Sequence, residues 1–182
     1  MNQPTKEQIF ESFLRLYQSN PYEKITVKLI CSESHVSRTT FYSYFDSVHA
    51  VLNEIEDRLI SDVFAINEKF QWMNFRDWKK GDPFPFFAET VAYIREHFLA
   101  FQTLLSRGDP RFIFLWKKII RHHFREKYVT EGIAHKNQEL ILEMTASSLI
   151  GMYTYWVTHP NEVDEAELLD VALPRVVFDL TK

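Results

Sequence analysis

Apolar residues recur along this chain with helical spacing almost from end to end. Within Thr5–Gln18, Ile9, Phe13, Leu16 and Tyr17 fall at i, i+4, i+7 and i+8, one stripe on one helix face. Ser19-Asn20-Pro21 ends that helix, because proline biases its predecessor out of helical backbone. Thr26 is placed to cap a short helix, Val27–Ser34, since its hydroxyl can take an orphan backbone N–H. A tight turn at Ser34-His35-Val36 follows, and Ser37 caps a third helix over Arg38–Tyr44. Phe45-Asp46-Ser47 closes it, and Ser47 can cap a long helix to Gln71 that carries Val51, Leu52, Ile55, Leu59, Val63 and Ile66 at helical spacing.

Trp72–Pro85, with Gly81, Pro83 and Pro85, reads as a loop. A helix over Phe86–His97 continues with a bend through Phe98–Ser106, until Gly108-Asp109-Pro110 breaks the pattern. Arg111–Tyr128 is helical, and Gly132 ends a short polar connection. Asn137–Thr158 is a long, largely apolar helix closed by His159-Pro160-Asn161, and Asp164–Leu180 is the last, kinked at Pro174. The pattern predicts an all-α fold. A three-helix N-terminal helix-turn-helix domain is joined by a long helix to a larger C-terminal helical bundle, with domains over 1–46 and 47–182.

With 182 residues, 46% apolar and 25% charged, the chain can bury a core without staples. One cysteine, Cys31, excludes an internal disulfide framework and fits the reducing cytoplasm. The opening Met1–Gln8 is polar rather than signal-like, and no run of about 18 apolar residues predicts a membrane span. The net charge of −4 does not advertise a nucleic-acid binder, but its distribution does more. Met1–Asp46 balances five cations against five anions, so the rest of the chain carries the whole deficit. Within Lys24–Tyr44, Lys24, Lys28 and Arg38 face only Glu33. Any DNA-binding face is therefore small and local.

The informative stretch is Ile25–Ser47, two helices of about eight residues around a three-residue turn. Val27, Ile30, Cys31, Val36, Phe41 and Phe45 lock the two together, which leaves Arg38, Thr39, Thr40, Tyr42, Ser43 and Tyr44 outward. Arg38 offers a planar fork that matches guanine O6 and N7. Thr39 and Thr40 can donate to phosphate or touch a thymine methyl, and the phenols of Tyr42 and Tyr44 can reach phosphate oxygens. The first residues of a recognition helix meet base edges, and here those are Ser37 to Thr40.

Ile25–Leu52 resembles the DNA-binding segment of the TetR family of bacterial repressors. The resemblance rests on Thr26, Val36, Thr40-Phe41-Tyr42, Tyr44-Phe45 and Leu52, the "TxYxxF" character of the family's recognition helix included. It implies that Thr26 and Tyr42 contact phosphate, that Lys28 lies at the groove edge, and that Arg38, Thr39 and Thr40 face bases. His35 stands where the family's turn usually has glycine, and Cys31 where it has a small alanine. Val48 occupies a place where the family often has a phosphate-binding lysine, for which His49 is a substitute.

The body is rich in large aromatics, Phe84, Phe86, Phe87 and Phe114 among them. They make either a packed core or an apolar pocket for a small effector. The family resemblance implies a pocket in these central helices, and Tyr93, Phe98, Phe101, Phe112, Trp116 and Phe124 are its candidate lining. On Asn137–Thr158, Leu140, Ile141, Met144, Ser147, Ser148, Gly151, Met152 and Tyr155 share one broad face. Its small residues admit close helix approach. With Asp164–Leu180 this helix is the expected dimerisation pair, as in family members, making a two-fold four-helix bundle. His122 and Glu126 could share a face with His97 or His123 nearby, yet spacing alone does not make ligands converge. Solvated or capping histidines, with no metal and no cofactor, are expected.

These residues predict a homodimeric regulator in the cytoplasm that binds a near-palindromic operator in double-stranded DNA and no membrane. It is expected to be a repressor released by a small apolar or aromatic effector. The alternative is a DNA binder controlled by a protein partner, with no small-molecule pocket. An enzyme is not expected: there is no Gly-rich phosphate loop, no nucleophile elbow and no clustered carboxylate–histidine set.

Overall fold

A computed structural model describes residues 3–71, 73 and 85–172. Every helix or turn among them is helical in type, with no strand. The order is α1 (Gln3–Ser19), a 3-10 turn (Tyr22–Lys24), α2 (Val27–Ser34), α3 (Arg38–Tyr42), α4 (Val48–Lys69), α5 (Pro85–Glu96), α6 (Phe98–Ser106), α7 (Pro110–Glu131), α8 (Gln138–Thr158) and α9 (Glu165–Glu167). A π-turn over Leu168–Ala172 follows α9. The chain divides into two compact units, Met1–Leu59 and Ile60–Lys182.

In the first unit, Ile9, Phe13, Ile30, Phe41 and Val51 are fully buried, so α1, α2, α3 and the start of α4 share one core. Phe45 lies 5.6 Å from Phe10 and 5.9 Å from Phe41, ring to ring, which ties the end of α3 to α1. Lys6 pairs with Glu54 and Glu7 with Arg58, so α4 is also fastened to α1 at the surface. The turn between α2 and α3 works without glycine. His35 takes left-handed backbone at φ 56°, ψ 28°, and both its N–H and that of Val36 donate to the Cys31 carbonyl. A left-handed residue at this point closes the helix by satisfying its last carbonyls.

Helix α3 stops at Tyr42, two residues before the expected end. The N–H of Tyr44 donates to the carbonyl of Phe41 at 2.9 Å, three residues back, so the chain tightens there before Phe45 restores the four-residue step. The same tightening ends α4 at Lys69, where Phe70 and Gln71 donate to Asn67 and Glu68. The expected loop Trp72–Pro85 lies outside the described residues except for Met73 and Pro85, and Phe84 lies outside them too. So does the last expected helix beyond Ala172, Pro174 included. Asp164 does cap its start, accepting from Glu167 N at 2.6 Å.

The second unit is built on α7 and α8. Asp109 accepts the N–H groups of Arg111 and Phe112 at 3.1 Å, Pro110 opens α7, and Gly132 closes it at φ 64°. Trp116 of α7 stacks on Tyr153 of α8, ring centroids 5.2 Å apart and planes within 7°. Phe101 of α6 meets both Trp116 and Phe112 edge-on at 5.3 and 5.7 Å. Along the outer edge of the pair, Lys117 and Arg121 bind Glu143, and Arg121 and Arg125 bind Glu139. Arg125 and then Arg121 hold the Glu139 carboxyl below the usual carboxylate range, and Lys117 does the same for Glu143.

Candidate nucleic-acid interface

Three side-chain caps place the polar residues of the first unit. Thr26 Oγ1 accepts from Leu29 N at 3.2 Å, Ser37 Oγ from Thr40 N at 3.0 Å, and Ser47 Oγ from Ala50 N at 3.1 Å. With Phe41 fully buried beneath it, α3 turns Arg38, Thr39, Tyr42 and Ser43 to the surface. Tyr42 is half exposed, its ring edge-on to Phe41 at 5.6 Å. The hydroxyls of Thr40 and Ser37 share a hydrogen bond of 2.8 Å, so Thr40 is half-buried and turned back on its own cap. Tyr44 is also half-buried and lies against Phe45 at 6.4 Å.

Thr26, Ser37 and Lys28 are exposed at or near the starts of α2 and α3, and His49 is exposed in the first turn of α4. The His49 ring is not free: its Nδ1 shares a hydrogen bond of 3.3 Å with the hydroxyl of Tyr22. Tyr22 is absent from the expected set, and no local spacing signals a partner 27 residues away. Cys31 is buried beneath this surface. Burial pushes its thiol up, and the Arg38 guanidinium offsets this only in part.

Ser37→Ala removes both the cap of α3 and the tether of Thr40. It is expected to lower stability by about 1 kcal/mol. Denaturant unfolding of the full chain measures this, and an unchanged midpoint would show that the Ser37 hydroxyl does no capping in solution.

The candidate effector residues belong to the second unit and do not all meet. Phe101, Phe112, Trp116 and Phe124 are fully buried, whereas Tyr93 and Phe98 are half-buried. The Tyr93 hydroxyl donates to Asp62 Oδ2 at 2.6 Å. Trp116 and Phe124 border a cavity of about 10 Å³ with Asn67, Thr90, His123 and Tyr153. These four polar residues are missing from the expected set. A signal for two of them lies in the chain: Asn67 is four residues after Val63, and His123 three after Ile120, each a polar residue on an apolar stripe.

Helix α8 has two distinct faces. Leu142, Ala146, Leu149 and Tyr153 are buried, while Leu140, Met144, Ser148, Gly151 and Tyr155 are exposed and Met152 is half-buried. The Tyr155 ring stacks on His159 at 4.2 Å, and its hydroxyl donates to Glu162 at 3.0 Å. No group of three or more His, Cys, Asp or Glu able to hold a metal occurs among the described residues. No helix among them is long and apolar enough to cross a membrane.

A five-residue helix, capped, anchored by one buried ring and polar on its outer face, follows α2 across a tight turn in an all-helical chain. Fold and surface together define a helix-turn-helix DNA-binding regulator. Residues 9–55 match the family of bacterial regulatory proteins called tetR, and residues 81–172 match a transcriptional regulator C-terminal region. The chain belongs to the TetR family of transcriptional regulators, which are non-enzymatic DNA-binding proteins.

Solved structures share the fold. A TetR transcriptional regulator from Streptococcus agalactiae is 24% identical, covering 99% of this chain and 95% of its own, with a TM-score of 0.68. A TetR-family regulator from Syntrophomonas wolfei is 14% identical, covering 100% and 97%, with a TM-score of 0.71. The dihydroxyacetone kinase operon activator DhaS is 18% identical, covering 97% and 93%, with a TM-score of 0.61. No curated protein matches the sequence.

Proposed function

We propose that two copies of this chain, joined along the exposed stripe of α8, bind a near-palindromic operator as a repressor that a small apolar or aromatic effector releases. The DNA-binding part is 1–46, and 47–182 holds the effector and the second copy. One observation carries the reading: α3 presents Arg38, Thr39 and Tyr42 outward from a base fixed by Phe41 and Phe45. Arg38 and Thr39 read base edges. Ser37 and Thr40, expected at base edges, bind each other's hydroxyls instead and, with Thr26, Lys28, Tyr42, Ser43, Tyr44 and His49, position the backbone of the duplex. Release requires an effector that binds one dimer geometry better than the other, since equal affinity for both shifts nothing.

Arg38→Ala is expected to weaken specific operator binding by about 1–3 kcal/mol and to relax the preference at one base pair. A titration at fixed salt against a selected operator measures it. Unchanged affinity would remove Arg38 from the interface. The sign of regulation is read separately by a reporter fused to that operator, because DhaS, a protein of the same fold, is described as an activator.

A second reading has one observation in its favour. The cavity bordered by Trp116 and Phe124 is about 10 Å³, so an effector seated there must part packed side chains. A regulator controlled by a protein partner needs no such opening. Thermal unfolding against a small-molecule library separates the two, since only the effector reading expects a ligand that both stabilises the protein and frees the operator.

A further inference from the structure

Three buried polar side chains converge on the small cavity of the second unit. Asn67, His123 and Tyr153 are 5%, 3% and 2% exposed. Gln71 Nε2 lies 2.6 Å from His123 Nδ1, so the amide donates to Nδ1 and the ring hydrogen sits on Nε2. Among the described residues, no hydrogen bond reaches that Nε2, the side-chain amide of Asn67 or the hydroxyl of Tyr153. A fourth polar residue, Thr90, donates its hydroxyl to the Phe86 carbonyl at 2.8 Å, and the remaining wall is apolar and aromatic, with Trp116 stacked on Tyr153 and Phe86 5.7 Å from His123.

We infer that this cavity binds the oxygen of an uncharged small molecule, an alcohol, phenol or ketone, through His123 Nε2–H, the Asn67 amide and the Tyr153 hydroxyl. The inference rests on the effector reading above and names the chemistry that the effector carries. About 10 Å³ takes a single oxygen atom, and the carbon frame of the ligand lies against Trp116 and Phe86 as they give way. The imidazole offers a donor and no charge, because burial, with Lys127 adding to it, holds its pKa at about 4. No cation lines the cavity among the described residues: the Lys127 ammonium donates to the carbonyls of Gln71 and Met73 instead. An anion would therefore enter unpaired, which disfavours it strongly.

Thermal unfolding of the full chain with phenol and cyclohexanone tests this, with toluene and benzoate as the apolar and anionic comparisons. At ten times the dissociation constant, either oxygen-bearing probe is expected to raise Tm by roughly 3–5 °C. Tyr153→Phe and Asn67→Leu each remove one partner without a large change in shape. Each is expected to weaken phenol binding by about 3–10-fold. Should one variant fail to fold, the other and the four-probe comparison still decide.

An equal shift with toluene, an equal shift with benzoate, or unchanged phenol affinity in a folded variant would overturn the inference. So would the absence of any shift, which would leave the three groups to a single buried water. Operator titration distinguishes the two readings. Phenol that binds without altering operator affinity supports the cavity and sinks effector release. Intact Arg38-dependent operator binding with no response to any probe sinks the cavity alone.

Discussion

Phe41→Ala is expected to destabilise the protein by about 3–5 kcal/mol, the usual cost of emptying a fully buried phenyl site. The ring of Phe41 lies within 6 Å of Phe45 and Tyr42, and through Phe45 it reaches Phe10 on α1. Helix α3 has five residues, far below the length at which a helix holds itself in water. The Ser37 cap cannot replace that anchor. Removing the ring should therefore melt α3 and abolish operator binding together, since Arg38 and Thr39 lose their platform. Denaturant unfolding of the full chain and an operator titration on the same preparation measure both. A variant with the original midpoint and affinity would show that something other than Phe41 holds the recognition helix.

Met144→Glu is expected to do the reverse, sparing the fold and dividing the dimer. Met144 is 55% exposed in the single chain, where a surface substitution changes stability by only about 0.5 kcal/mol. In a two-fold pair joined along Leu140, Met144, Gly151 and Tyr155, each copy brings its own carboxylate into one apolar seam. Two unpaired charges there oppose association. A lone copy engages one half-site, so operator affinity should fall by about 10²–10⁴-fold with the loss of linkage. Sedimentation gives the mass and a titration gives the affinity. A Met144→Glu protein that stays dimeric and binds normally would move the interface away from this face.

How much of this was legible in the chain depended on the range of the signal. The bounds of α2 and the start of α3 could be read because Thr26 and Ser37 cap helices whose apolar positions begin at once. The end of α3 could not, since it turns on where the Phe41 carbonyl points. On α8, spacing grouped Leu140, Met144 and Tyr155, but not their outward direction. That depends on Leu142, Leu149 and Tyr153 packing inward against helices distant in sequence. Asn67, His123 and Tyr153 lie on three helices, and their convergence is a tertiary fact that no single periodicity encodes. The pairing of Tyr22 with His49 is of the same kind.

The charge ladder on the edge of α7 and α8 bears on how the dimer and the DNA complex answer ionic strength. Glu139 and Glu143 flank the apolar stripe in sequence, but Lys117, Arg121 and Arg125 of the same chain already neutralise them. In a pair joined along this stripe, the carboxylates of the two copies would meet already paired, and added salt would have little carboxylate repulsion to screen. The grip on phosphates releases counterions and must loosen steeply in the same buffer. Potassium chloride should therefore strip the protein from its operator as an intact pair.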